Sequence, residues 1–100
     1  MKTEIMILNV MNYEKEGQVN TRMGFIICAK GSISENDRFI GYGELSQYYK
    51  GIDVFEKIKK DMIGKPITAN LKELSSPSNP MRSRQVIESI EYNGNLISLL

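Results

Sequence analysis

Asp53-Val54-Phe55-Glu56-Lys57-Ile58-Lys59-Lys60-Asp61-Met62-Ile63-Gly64-Lys65-Pro66 is the stretch on which the fold turns, because it carries the clearest helical period in the chain. Phe55, Ile58 and Met62 recur at spacings of three and four, which lines them along one stripe of a helix. Asp53 is placed to cap its start, with Glu56 three residues on as the reciprocal partner. Gly64 ends it, with Pro66 just beyond. A short helix from about 53 to 63 is therefore expected. Everything on either side of it reads as strand.

Upstream, residues 4–12 (Glu-Ile-Met-Ile-Leu-Asn-Val-Met-Asn) are an apolar run of strand length, expected to be covered on both faces. Tyr13 to Asn20, with Gly17 inside, reads as a hairpin loop. A second strand follows at 21–30, with Met23, Phe25, Ile27 and Ala29 on one face and Arg22, Gly24 and Lys30 on the other. Gly31 to Asn36 reads as a loop. A third strand is expected over 37–45, with Arg38, Ile40 and Tyr42 sharing a face. Gly41 and Gly43 oppose them, and glycine inside a strand marks a bend or a close backbone approach.

Downstream, a fourth strand is expected over 66–74 and a fifth over 85–92. Between them lies a loop rich in Ser, Pro and Asn (75–80), leading to Met81-Arg82-Ser83-Arg84. Asn93-Gly94 between Tyr92 and Asn95 is a strong hairpin signal, since type I′ turns need positive φ at both central residues. Leu96-Ile97-Ser98-Leu99-Leu100 is then the last strand.

Three strands, a helix and two strands define a mostly β (α+β) domain spanning residues 1–100. The helix is the crossover that hairpin-linked strands require before a parallel neighbour. This order matches a small OB-like five-stranded barrel with one helix between its third and fourth strands, extended here by a C-terminal hairpin. One hundred residues suffice for one core and are too few for two.

On these elements the chain resembles the small OB-fold single-stranded-DNA-binding and replication-accessory proteins of phages and Gram-positive mobile genetic elements. The resemblance rests on residues 4–12, 21–30, 37–45, the helix from Asp53 and the strand pair around Asn93-Gly94, and it covers most of the chain. It implies binding of single-stranded DNA, or RNA, across the second and third strands and the loops joining strands 1–2 and 4–5. It also implies a setting beside a replication polymerase or helicase. On that template Tyr13 and Lys15 belong to the first loop, and Arg22 and Lys30 to the second strand. Arg38 and Tyr42 belong to the third strand, and Arg82 and Arg84 to the loop before the fifth. Arg22, Arg38 and Tyr42 are expected to face one trough. Tyr48 and Tyr49 either stack bases or cover the end of the barrel.

Charge bears on this reading from both sides. Thirteen basic and twelve acidic residues leave a net charge of +1, far from the strongly basic balance of many nucleic-acid binders. The distribution is uneven, however. Residues 50–72 hold six lysines against Asp53, Glu56 and Asp61, and Arg82 and Arg84 stand without a neighbouring acid.

Catalysis is not expected. The chain has no His, and its single Cys28 sits in the apolar run Phe25-Ile26-Ile27-Cys28-Ala29. Gly41-Tyr42-Gly43 lacks the later glycine and the Lys-Ser/Thr pair of a phosphate-cradling loop. The Glu14/Glu16 and Glu88/Glu91 pairs stand on surfaces that give no reason for a shifted pKa. No cofactor or metal is expected. No apolar run approaches the ~20 residues needed to cross a bilayer, and a cytoplasmic location with no membrane partner is the expectation. The competing reading is a protein-interaction subunit of a replication complex that binds no nucleic acid, with the uncharged terminal strand adding to a partner's sheet.

Overall fold

The computed structural model describes residues 1–28, 33–76 and 79–100, and within these the side chains outside 75–84. It is mostly β. The elements are β1 (Lys2–Lys15), β2 (Gln18–Ile27), β3 (Ile33–Asn36), β4 (Phe39–Tyr42), β5 (Leu45–Tyr49), α1 (Asp53–Lys57), β6 (Pro66–Ser76), β7 (Asn79–Tyr92) and β8 (Asn95–Ser98). Six strands form one sheet in the order β5-β2-β1-β6-β7-β8, each of these strands antiparallel to its neighbours, and β3 and β4 form a separate hairpin.

β1 reads differently from the sequence expectation. Ile5 and Ile7 are fully buried, whereas Leu8 and Met11 are substantially exposed, so the strand alternates rather than burying both faces. A bulge between Ile7 and Asn9 leaves Leu8 as the extra residue. An inserted residue reverses the parity of everything after it. Val10 therefore joins Ile5 and Ile7 against the core, and Met11, Tyr13 and Lys15 turn to the outer face. Beyond Val10 the segment expected as a loop continues as a two-stranded ribbon. It closes in a tight turn at Glu16 (φ 53°) and Gly17 (φ 77°).

On β2 the expected inner face is present, with Met23 and Phe25 buried and Ile27 packed against the core. Its neighbour is not the segment 37–45. Leu45–Tyr49 pairs with β2, placing Tyr49 opposite Thr21 and Leu45 opposite Phe25. Residues 33–42 pair with each other instead, around a turn where Arg38 N donates to Asn36 Oδ1 at 2.8 Å. The local hairpin wins because its register is set by adjacent residues. It leaves Phe39 44% exposed.

The helix is also shorter than expected. It ends at Lys57, and Ile58 is already extended (φ −85°, ψ 123°), with a 3₁₀ turn following at Lys60–Met62. Its N-cap is Ile52 with no side-chain cap, so Asp53 does not take that role. Val54, Ile58 and Met62 are buried and Phe55 is not. The connection into it is tied to β2 through both backbone polar groups of Gly51. Thr21 Oγ1 donates to Gly51 O at 2.8 Å, and Gly51 N donates to Asn20 Oδ1 at 3.0 Å.

β6 and β7 run as a long ladder into the stretch expected as a loop, pairing Leu74 with Arg84 and Ser75 with Ser83. The Asn93-Gly94 hairpin forms as the sequence predicts, with φ of 50° and 77°, and β8 pairs with β7 while Leu99 is buried. The sheet is not closed into a barrel. Where β5 approaches β7, the Gln47 side chain spans the gap: Nε2 donates to Ile87 O at 3.2 Å, and Ile87 N donates to Oε1 at 2.8 Å. The Tyr49 hydroxyl donates to the same carbonyl at 3.3 Å.

Candidate nucleic-acid interface

Because side chains alternate across a strand, the registers above determine which residues share the outer face of β1, β2 and β5. Gln18 stands opposite Lys15 and Asn20 opposite Tyr13. Arg22 lies between Met11 on one side and Tyr48 on the other, and Gly24 between Asn9 and Ser46. Lys50 follows β5 and lines the same pocket as Tyr13 and Tyr48. At the ribbon end this face carries three cations (Lys15, Arg22 and Lys50), and the carboxylate of Glu44 stands at its other end, beside Gly24. The acids of the ribbon, Glu14 and Glu16, stand on the opposite side of β1 and in the turn.

Tyr13 and Tyr48 belong to strands separated by β2, about 10 Å apart in a regular sheet. Their ring centroids are only 5.7 Å apart at 84°, so the rings lean together over β2 in an edge-to-face pair. Tyr48 is nevertheless 62% exposed, leaving ring surface open to solvent. Arg22 is held beside it by a 2.7 Å bond from Nη2 to Ser46 Oγ. The other end of the face is closed at Gly24. A Cβ there would lie 2.9 Å from both Asn9 Oδ1 and Glu44 Oε1, so only glycine leaves room for these two side chains. Beneath the aromatic pair Tyr49 is buried, and burial pushes its hydroxyl well above the ordinary range, keeping it a neutral donor to Ile87.

Of the residues expected at the site, Tyr13, Lys15 and Arg22 are brought onto this one face. Arg38 and Tyr42 are not. Both sit on the separate β3–β4 hairpin, Arg38 at its turn and Tyr42 on β4, so the expected trough of Arg22, Arg38 and Tyr42 does not form through strand pairing. Lys30 lies outside the described residues. Arg82 and Arg84 lie in β7, where the backbone is described and their side chains are not. Lys50, Asn20 and Gln18 join the face without having been assigned to it, and of the two tyrosines expected either to stack bases or to cover the barrel's end, Tyr48 stands on it. The signal available for Tyr48 is period two: in Leu45-Ser46-Gln47-Tyr48-Tyr49, one of two adjacent tyrosines must point outward.

Elsewhere, burial and the nearby Glu4 carboxylate raise the Cys28 pKa, so it is a thiol rather than a thiolate at neutral pH. Among the described residues no helix is long and apolar enough to cross a membrane. Comparison with known proteins gives no match: no family model, no curated protein and no solved structure aligns with the chain.

Proposed function

We propose that this chain is a single-stranded nucleic-acid-binding protein with an OB-like architecture, acting as a replication accessory factor of a phage or mobile element. The observation that carries the reading is the ribbon end of this face, where Tyr13 and Tyr48 stand among Lys15, Arg22 and Lys50 and no carboxylate lines the pocket. Exposed aromatic surface stacks on unpaired bases whatever their identity, and cations along it neutralise the backbone. In a molecule of net charge +1, gathering three cations at one end of a face is what a local polyanion site requires. The strand order β5-β2-β1-β6-β7, with α1 between β5 and β6, also agrees with the OB arrangement cut open between its third and fifth strands. Gln47 stands where the missing ladder would be.

A second reading draws on the β3–β4 hairpin. Ile33, Ile40 and Tyr42 share one of its faces and are 58%, 72% and 41% exposed, a surface suited to a protein partner such as a polymerase or helicase subunit. Titration against labelled single- and double-stranded oligonucleotides at two salt concentrations separates the two. Salt-sensitive binding that prefers the single strand supports the first reading. No oligonucleotide binding, with a salt-resistant complex with a replication protein, supports the second.

A further inference from the structure

We propose that the pocket at the ribbon end of this face is an anion subsite that takes a backbone phosphate, with the Asn20 amide nitrogen as its fixed donor. The inference rests on the single-strand reading and adds where along the face the chain of phosphates is gripped. The pocket has a volume of about 250 Å³, and Lys15, Gln18, Asn20, Lys50 and three tyrosines, Tyr13, Tyr48 and Tyr49, contribute to its walls. No carboxylate lines it.

Asn20 is what makes it more than a pair of lysines. The backbone N–H of Gly51 can be satisfied only by an oxygen, so the 3.0 Å bond it donates commits Asn20 Oδ1 and settles which way the amide is turned. Nδ2 has no partner among the described residues and can only donate. The residue that holds Asn20 is itself held, because Thr21 Oγ1 donates to Gly51 O at 2.8 Å. Gly51 has φ of 77°, which lets the chain double back over β2 to reach both residues. The donor is thus oriented before any ligand arrives, which lowers the ordering cost of binding. Lysine ammoniums also only donate. One fixed amide donor and two cations match the non-bridging oxygens of a phosphodiester. A base lying on the neighbouring Tyr48 would continue the strand toward Arg22.

The test is Asn20→Asp. It keeps an oxygen for Gly51 N–H and replaces the amide donor with a negatively charged acceptor. The expected result is an unchanged melting temperature and at least tenfold weaker binding of a single-stranded oligonucleotide at low salt. In parallel, wild type is titrated with oligonucleotides carrying one neutral methylphosphonate linkage at successive positions. One linkage should cost far more than the rest, and that penalty should vanish in Asn20→Asp. Unchanged affinity of Asn20→Asp, or uniform small losses along the methylphosphonate series, would overturn the subsite while leaving single-strand binding standing. Should Asn20→Asp fail to fold, the wild-type series decides alone. Wild type that binds no single strand at either salt would instead overturn the functional reading itself.

Discussion

Gln47 pairs with Ile87 as one backbone pairs with another: its amide nitrogen donates to the Ile87 carbonyl at 3.2 Å and its amide oxygen accepts from the Ile87 N–H at 2.8 Å. A side chain thereby joins β5 to β7. Gln47→Leu leaves the Ile87 N–H without its acceptor in a nearly water-free position, a cost of about 1–3 kcal/mol. Tyr49→Phe removes a donor from the same carbonyl, but Gln47 still serves it, so about 1 kcal/mol or less is expected. Urea unfolding of both variants checks the order of the two losses.

Tyr49 also makes stability depend on alkaline pH. Burial raises its pKa above the ordinary value of 10. The folded protein therefore holds the phenolic proton more tightly than the unfolded chain. Its contribution is fully present below pH 10 and declines as pH rises through the folded-state pKa. Wild type should lose stability above about pH 10 more steeply than Tyr49→Phe in chemical denaturation. Parallel slopes would contradict the assignment.

Tyr48 and Tyr42 are both exposed tyrosines, 62% and 41%, on different sheets. Tyr48→Ala should weaken oligonucleotide binding by about 1–3 kcal/mol with little change in melting temperature. Tyr42→Ala should leave binding unaltered. Fluorescence anisotropy titrations of the pair distinguish the β1–β2–β5 face from the hairpin as the binding surface.

Gly94 closes the last hairpin at φ 77° with nothing within 4 Å of where a Cβ would stand. Gly94→Ala should cost about 1–2 kcal/mol through backbone strain alone, measurable as a lower urea midpoint. The same holds for Gly17, whose φ is also 77° and whose surroundings are equally open.

What could be read from the chain divides along physical lines. Asn93-Gly94 was legible because a two-residue turn dictates its own residue types. The inner face of β2 was legible from strict alternation through Met23, Phe25 and Ile27. The third strand was misplaced because Phe39-Ile40-Gly41-Tyr42 has the apolar content of a core strand yet satisfies its backbone in a local hairpin. Leu45–Tyr49 carries Ser46 and Gln47 and so looks unlike a core strand. Its half-buried Gln47 serves the backbone of Ile87, which no local pattern announces. Helix residues Val54, Ile58 and Met62 keep one stripe at spacing four although the α-helix stops at Lys57, which is why the period overstated its length.

For the site, Tyr13, Lys15 and Arg22 were legible as residue types, but what places them together was not. The β1 bulge at Leu8 turns Tyr13 and Lys15 outward, and a bulge leaves no composition signal in an apolar run such as Met6-Ile7-Leu8-Asn9-Val10. Had β1 run without it, both would face inward.

The central claim is that a single nucleic-acid strand lies on the outer face of β1, β2 and β5. Backbone amide chemical-shift mapping of ¹⁵N-labelled protein on adding a short single-stranded oligonucleotide locates that contact directly. Shifts concentrated at Tyr13, Asn20, Arg22 and Tyr48, with Glu35–Tyr42 and β8 unmoved, are the predicted result. Shifts confined to the β3–β4 hairpin, or none at saturating oligonucleotide, would contradict it.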